Sequence, residues 1–159
     1  MRPIIISLAL AVAAMSAAAA EGVPDSWLGS WQLRVDRSSY PAAPPYRRAT
    51  YRIARTPEGF TVIYDMVYPR GGISHVEWTG RMDGRDYPVQ GVDDAITYAY
   101  TPSAGDGGDV VVKIDGRVAA RSRITVSPDG RTMTTRTTTV APDGRPAATT
   151  TVYEKQPPR

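Results

Sequence analysis

The sequence predicts an all-β domain of antiparallel strands, a sandwich or a barrel, and three observations carry that expectation. Past residue 20 no window sustains apolar residues at helical spacing, while short runs alternating apolar and polar residues recur between turn signals. Asp-Gly-Arg occurs four times, at Asp83, Asp115, Asp129 and Asp143, and Asp-Gly pairs suit the positive φ of tight hairpins. A large ring, Trp31 in GSWQLRV, stands at the head of the first run two residues after Gly29. It is either the plug of a closed barrel end or ordinary core.

What precedes that run is not part of the domain. MRPIIISLALAVAAMSAAAA joins a basic Arg2, an apolar run from Ile4 and a small-residue ending in Ala18, Ala19 and Ala20, the anatomy of a secretory signal peptide cleaved before Glu21. Residues 3–20 would also just span a bilayer if retained, but the alanine-rich end is weakly apolar and suits a peptidase. The expected organisation is a signal peptide over 1–20 and one domain over 21–159, enough chain for a single core. There is no cysteine, so no disulfide framework, thiol nucleophile or lipid-attachment site is available. The expected address is the periplasm of a Gram-negative bacterium, or the medium.

The strands are justified in turn by the side chains that alternation points inward. A first strand over 30–36 would bury Trp31, Leu33 and Val35; a second over 49–55, Tyr51 and Ile53. RSSYPAAPPYRR lies between them, where three prolines forbid a regular ladder and favour an extended loop. The third strand, 60–67, would bury Phe60, Val62, Tyr64 and Met66, and the fourth, 73–82, Val76, Trp78, Gly80 and Met82. Residues 87–89 are a very short possible tenth strand. Runs at 95–101 and 109–115 add Ile96, Tyr98, Tyr100, Val110, Val112 and Ile114, flanking the glycine-rich hairpin TPSAGDGGD.

The character then changes. Runs at 118–126, 132–140 and 147–155 point Val118, Ala120, Ser122, Ile124 and Val126 inward, then Met133, Thr135, Thr137 and Thr139, then Ala148, Thr150 and Val152. With Asp-Gly-Arg between them, the last four strands form a sequential antiparallel meander. One side of the interior thus carries rings and the other alanine, serine and threonine. Either the rings fill the space opposite, as tapered barrels require, or a void lined by hydroxyls remains for water or a ligand.

Charge and chemistry exclude more than they suggest. The net charge is +3, the arginines are scattered, and no clustered basic stripe with stacking aromatics marks a nucleic-acid partner. The sole histidine, His75, takes outward parity beside Glu77, without the companions that a metal site or triad requires. Asp93 and Asp94 precede a strand, and adjacent strand residues face opposite ways. Ser26, Ser30, Ser38 and Ser39 have no nucleophile-elbow context. Arg121, Arg123 and Arg136 could form a basic patch for an anionic headgroup or glycan. No catalytic residue, metal or cofactor is expected, and the chain does not read as an enzyme.

GSWQLRVDRSSY resembles the opening of a group of secreted bacterial proteins of lipocalin-like, calycin-type build, with Gly-x-Trp-x-Leu before a Ser- and Pro-rich loop. The resemblance continues through VEWTGRMDGRDYPVQG, Val76 to Gly91, and ends with VYEK, Val152 to Lys155. It implies a single antiparallel up-and-down β-barrel of about 8–10 strands and supplies no ligand. It also implies that Gly29 and Trp31 close the barrel base under a basic side chain, for which the last strand offers Lys155. Two functions follow. One is binding of a small apolar or amphiphilic ligand in the barrel, contacting Tyr51, Tyr64, Trp78, Tyr98 and Thr137. The other is an envelope structural or protein-interaction module with a filled core, working through the loops at Pro41 to Pro45 and Ser103 to Gly108. Neither calls for stable membrane insertion once the leader is removed.

Overall fold

The computed structural model describes residues 22–41, 44–140 and 144–158. The signal peptide expected over 1–20 lies outside the described residues, as does Asp143 of the last Asp-Gly-Arg turn. Ten strands follow in order: β1 (Gly29–Leu33), β2 (Arg48–Thr56), β3 (Gly59–Val67), β4 (Ile73–Gly80), β5 (Tyr87–Gln90), β6 (Ile96–Pro102), β7 (Gly108–Ile114), β8 (Arg117–Val126), β9 (Thr132–Val140) and β10 (Pro146–Lys155). Each pairs antiparallel with the next, and β1 pairs with β10 to close the ring. The fold is the all-β, up-and-down barrel expected of the sequence, and not a sandwich.

Local chemistry fixes the turns. Between β7 and β8, Ile114 pairs with Arg117 around Asp115 and Gly116, whose φ values are 49° and 75°. Both central residues are left-handed, the geometry whose twist matches a two-residue hairpin. Asp115 is the only non-glycine residue with positive φ among the described residues, and an aspartate tolerates that region better than most side chains.

The first strand is shorter than its alternation suggested. It stops at Leu33, residues 35–37 form a 3-10 turn, and Val35 is exposed rather than inward. Ser38 is the cause: its hydroxyl donates to the Arg34 carbonyl at 2.7 Å and accepts from Val152 N–H at 3.0 Å. The Arg34 guanidinium also clamps Asp36 and Glu154. Such short side chain to backbone bonds offer the chain an alternative to the ladder, which resumes only where Ser39 bridges Thr150.

The last strand has the opposite parity to that expected. Thr149 pairs with Thr137, Thr151 with Thr135 and Tyr153 with Met133, so Ala147, Thr149, Thr151 and Tyr153 take the inward side, not Ala148, Thr150 and Val152. Ala-Ala-Thr-Thr-Thr has nearly equal side chains at both parities, so pattern cannot choose between them. Burying the Tyr153 ring decides the register, because a one-residue slip would expose it. Ile114 and Thr139 have inward parity but sit above the core and are exposed, whereas Val118, expected inward, is exposed because a bulge opposite Val112 and Lys113 shifts the register and sets it across from Lys113.

The core lies toward one end of the barrel, where β1 begins and β10 ends. Trp27, Trp31, Trp78, Tyr153, Phe60 and Met133 are wholly buried. Trp78 and Tyr100 meet at 4.6 Å between ring centroids, and Phe60 packs on Trp78 at 4.9 Å. This end is the base, and the opposite end is the mouth.

Candidate functional site

The base is sealed before the site begins. Trp31 is buried, its indole N–H donates to the Trp27 carbonyl at 2.7 Å, and Lys155 Nζ stands 4.9 Å from its ring centroid. Lys155 also donates to the Ser26 carbonyl at 3.0 Å. The register explains this meeting, since Trp31 and Lys155 are β1–β10 partners. Gly29 has a φ of 113°, and a side chain there would meet the Lys155 stem.

Trp27 was not legible as a plug in the sequence. It lies in a short 3-10 turn, Asp25–Trp27, donates from its indole to the Asp106 carbonyl at 2.6 Å, and rests over Gly108. A Cβ added to Gly108 would lie 2.7 Å from the Trp27 ring and 2.9 Å from the Met82 methyl. The loop after Ser103 therefore serves the seal. The available signal was a third tryptophan four residues before Trp31, outside any alternating run.

Above this floor lies a cavity of about 150 Å³. Tyr51, Tyr64, Trp78, Tyr98 and Thr137, singled out from the sequence, all line it, together with Tyr100, Ser122, Thr135 and five aliphatic side chains. Sequence reasoning missed Tyr153, which lies behind the wall. The aromatic side is rigid: Tyr51 and Tyr64 are β2–β3 partners and stack at 3.9 Å with planes 12° apart, and Tyr153 meets Tyr51 edge-on at 4.9 Å. Tyr46, where the Pro-rich loop enters β2, packs edge-on against Tyr64 at 6.4 Å.

The hydroxyl side is paired across strands. Ser122 and Thr137 are 2.7 Å apart, Thr135 bonds Thr151, and Tyr64 meets Tyr153 at 3.0 Å, oxygen to oxygen. A hydroxyl carries one donor and two acceptor sites, so each pair consumes one proton and leaves another to point elsewhere. The hydroxyls of Tyr51 and Tyr98 have no hydrogen-bond partner among the described residues. Burial pushes the Tyr51 and Tyr64 phenols well above their ordinary range, with neighbouring tyrosines adding to the effect, and raises Tyr98 likewise. These rings therefore remain neutral donors at any physiological pH.

The remaining candidates lie outside the barrel. His75 Nδ1 is 2.6 Å from Asp65 Oδ1, and Arg52 donates to the other oxygen of that carboxylate at 2.8 Å. The histidine's partner is thus Asp65 across the β3–β4 ladder rather than Glu77. Arg123 is held bidentate by Asp109 at 2.8 and 3.0 Å, which partly neutralises the patch it shares with Arg121 and Arg136. Asp93 and Asp94 lie exposed between β5 and β6.

Fold and interior together define a closed antiparallel barrel, sealed at one end by tryptophans and holding a small aromatic- and hydroxyl-lined chamber. No protein-family model matches the chain, and no curated protein matches it significantly. Among solved structures it is similar to the zebrafish ileal bile acid-binding protein in complex with cholic acid. The two share 9% identity, with a TM-score of 0.48, over 82% of this chain and 99% of that one. No functional statement follows from a likeness at that level.

Proposed function

We propose that this is an exported binding protein that takes the uncharged end of a small apolar or amphiphilic molecule into the barrel. The observation that carries the reading is convergence: Tyr51, Tyr64, Trp78, Tyr98 and Thr137 line one cavity whose thirteen lining residues include no Asp, Glu, Lys, Arg or His. Export rests on the composition of residues 1–20.

Size and polarity set the class of guest. A volume of about 150 Å³ equals that of a buried cavity known to admit a benzene-sized molecule, and is about half the lower limit of drug-sized pockets, roughly 300 Å³. A single ring or short chain fits; a whole lipid does not. A charged head inside would face several kcal/mol of desolvation cost with no counter-ion, so it stays at the mouth. The neutral phenols and the spare hydroxyl protons favour a guest with an ether, carbonyl or hydroxyl oxygen.

The test pairs native mass spectrometry of protein purified from its own host with titration of p-cresol, toluene and benzoate followed by tryptophan fluorescence. Cresol is expected to bind best, toluene less well and benzoate least. Val112→Phe, which places a ring in the void, should abolish the response while the protein stays folded. A bare mass and no response to cresol or toluene would overturn the reading in favour of an interaction module with a filled core, as the tight base aromatics already suggest for the lower half. Benzoate binding as well as cresol would leave the chamber but remove its selection against charge.

A further inference from the structure

The mouth end differs chemically from the base, and we propose that it docks on an anionic lipid surface. Six large hydrophobic side chains are exposed among the described residues: Val35, Tyr68, Ile73, Ile114, Val118 and Val140. Every one lies where a strand leaves or enters at the mouth. Tyr68 and Ile73 bracket the β3–β4 turn, Ile114 and Val118 the β7–β8 turn, Val140 ends β9, and Val35 follows β1. Ile73 is 81% exposed and Val140 70%, levels at which neither contributes to the barrel's own core.

Each of these three hairpin turns also carries one arginine: Arg70, Arg117 and Arg145. Arg47 and Arg48 add two more at the start of β2. Arg70 and Arg117 are exposed and form no ion pair among the described residues. The base connections carry Glu58, Asp83, Asp86, Asp106 and Asp129 against Arg81, Arg85 and Arg131, a net acidic balance, and among the described residues no exposed large hydrophobic. Acidic residues also stand at the mouth: Asp36 pairs with Arg34, Asp115 shares the β7–β8 turn with Arg117, and Asp93 and Asp94 between β5 and β6 leave the basic face turned toward β2–β4 and β7–β10.

The arrangement selects the partner. The β3–β4 turn, the β7–β8 turn and the end of β9 lie on well-separated strands of the ring, a layout that suits an extended surface better than a peptide or a single protein loop, which would reach one or two of them. Apolar tips interleaved with guanidinium groups match an anionic bilayer: the tips enter the headgroup boundary, and Arg70 and Arg117 pair with phosphate. A zwitterionic surface would lose the electrostatic part of that attraction. This inference does not depend on the chamber being occupied.

Flotation of the purified protein with phosphatidylglycerol–phosphatidylcholine vesicles tests it, with phosphatidylcholine vesicles as the comparison. Binding is expected to the first and not the second, and to weaken with salt. Arg70→Ser with Arg117→Ser, and separately Ile73→Ser with Val140→Ser, should each weaken binding about tenfold or more. All four side chains are exposed, and circular dichroism confirms that the variants fold. Arg85→Ser with Arg131→Ser at the base should bind as the parent does. No flotation with anionic vesicles would overturn the proposal, as would equal losses from base and mouth variants. So would a change of self-association in the mouth variants without lipid, which would assign this end to a second copy of the chain.

Discussion

Gly108 and Trp27 form a contact that can be broken from either side, and the two breaks should not add. Gly108→Ala puts a methyl group 2.7 Å from the Trp27 ring and 2.9 Å from the end of Met82; Met82 can swing away, but the indole is held by the Asp106 carbonyl and packs edge-on against Tyr100. Overpacking of this kind costs about 1–3 kcal/mol. Trp27→Ala removes a fully buried indole, for which about 3–5 kcal/mol is the usual loss, a large share of a typical stability of about 5–15 kcal/mol. In the double variant the alanine methyl enters space the indole has vacated, so the Gly108→Ala penalty should vanish or change sign, giving a coupling of about 1–3 kcal/mol. Urea unfolding followed by circular dichroism measures all four corners. With a slope of about 2 kcal/mol per molar urea, the tryptophan loss alone moves the midpoint by about 2 M. Additive losses, or a Trp27→Ala loss below about 1 kcal/mol, would show that the 3-10 turn rests on the base without sealing it.

Three further outcomes are expected. Ser122→Ala should cost about 1 kcal/mol by orphaning the Thr137 hydroxyl, and adding Thr137→Val should recover part of it, since replacing both partners is cheaper than replacing one; equal or additive losses in thermal unfolding would count against the pairing. Lys155→Met, which keeps the stem but removes the charge over Trp31 and the bond to Ser26, should lower stability by about 1 kcal/mol and alter Trp31 fluorescence; unchanged stability and emission would refute the contact. Burial raises the phenol of Tyr153 from 10.0 to about 12 and raises those of Tyr51, Tyr64, Tyr98 and Tyr100. The folded state therefore holds protons that the unfolded chain releases: stability is intact below pH 10 and falls as pH rises above it. Ultraviolet titration should show these phenolates appearing together with unfolding, and gradual ionisation in a protein still folded would contradict their burial.

Most of the frame was legible because bulky residues alternate cleanly in the first half of the domain. Phe60, Val62, Tyr64 and Met66 leave only one parity with a large apolar face, and so do Val76 and Trp78; all five cavity candidates came from such strands or from Thr137. Legibility failed where that signal was absent. Between 147 and 151 small side chains stand at both parities, so only the long-range register with β9 and β1 could choose. Val35 looked inward by alternation but yielded to the hydrogen bonds of Ser38, a local competition that apolar pattern does not record. The pairing of interior hydroxyls was also hidden, because it depends on which threonine faces which across a ladder. Trp27 stands outside every strand, and its role comes from Asp106 and Gly108, about eighty residues along the chain.

The ring closes where the first strand meets the last: Trp31 lies beside Lys155 and Leu33 beside Tyr153. A growing chain that has made every strand but β10 is an open sheet with two unpaired edges, β1 and β9, and with Trp31 lacking its cation. Such edges invite pairing between molecules, and the contact that removes them spans nearly the whole domain, the slowest kind to form. The C-terminal strand therefore acts as a latch, so that loss of Tyr153 to Lys155 would leave an adhesive ribbon rather than a slightly weakened barrel.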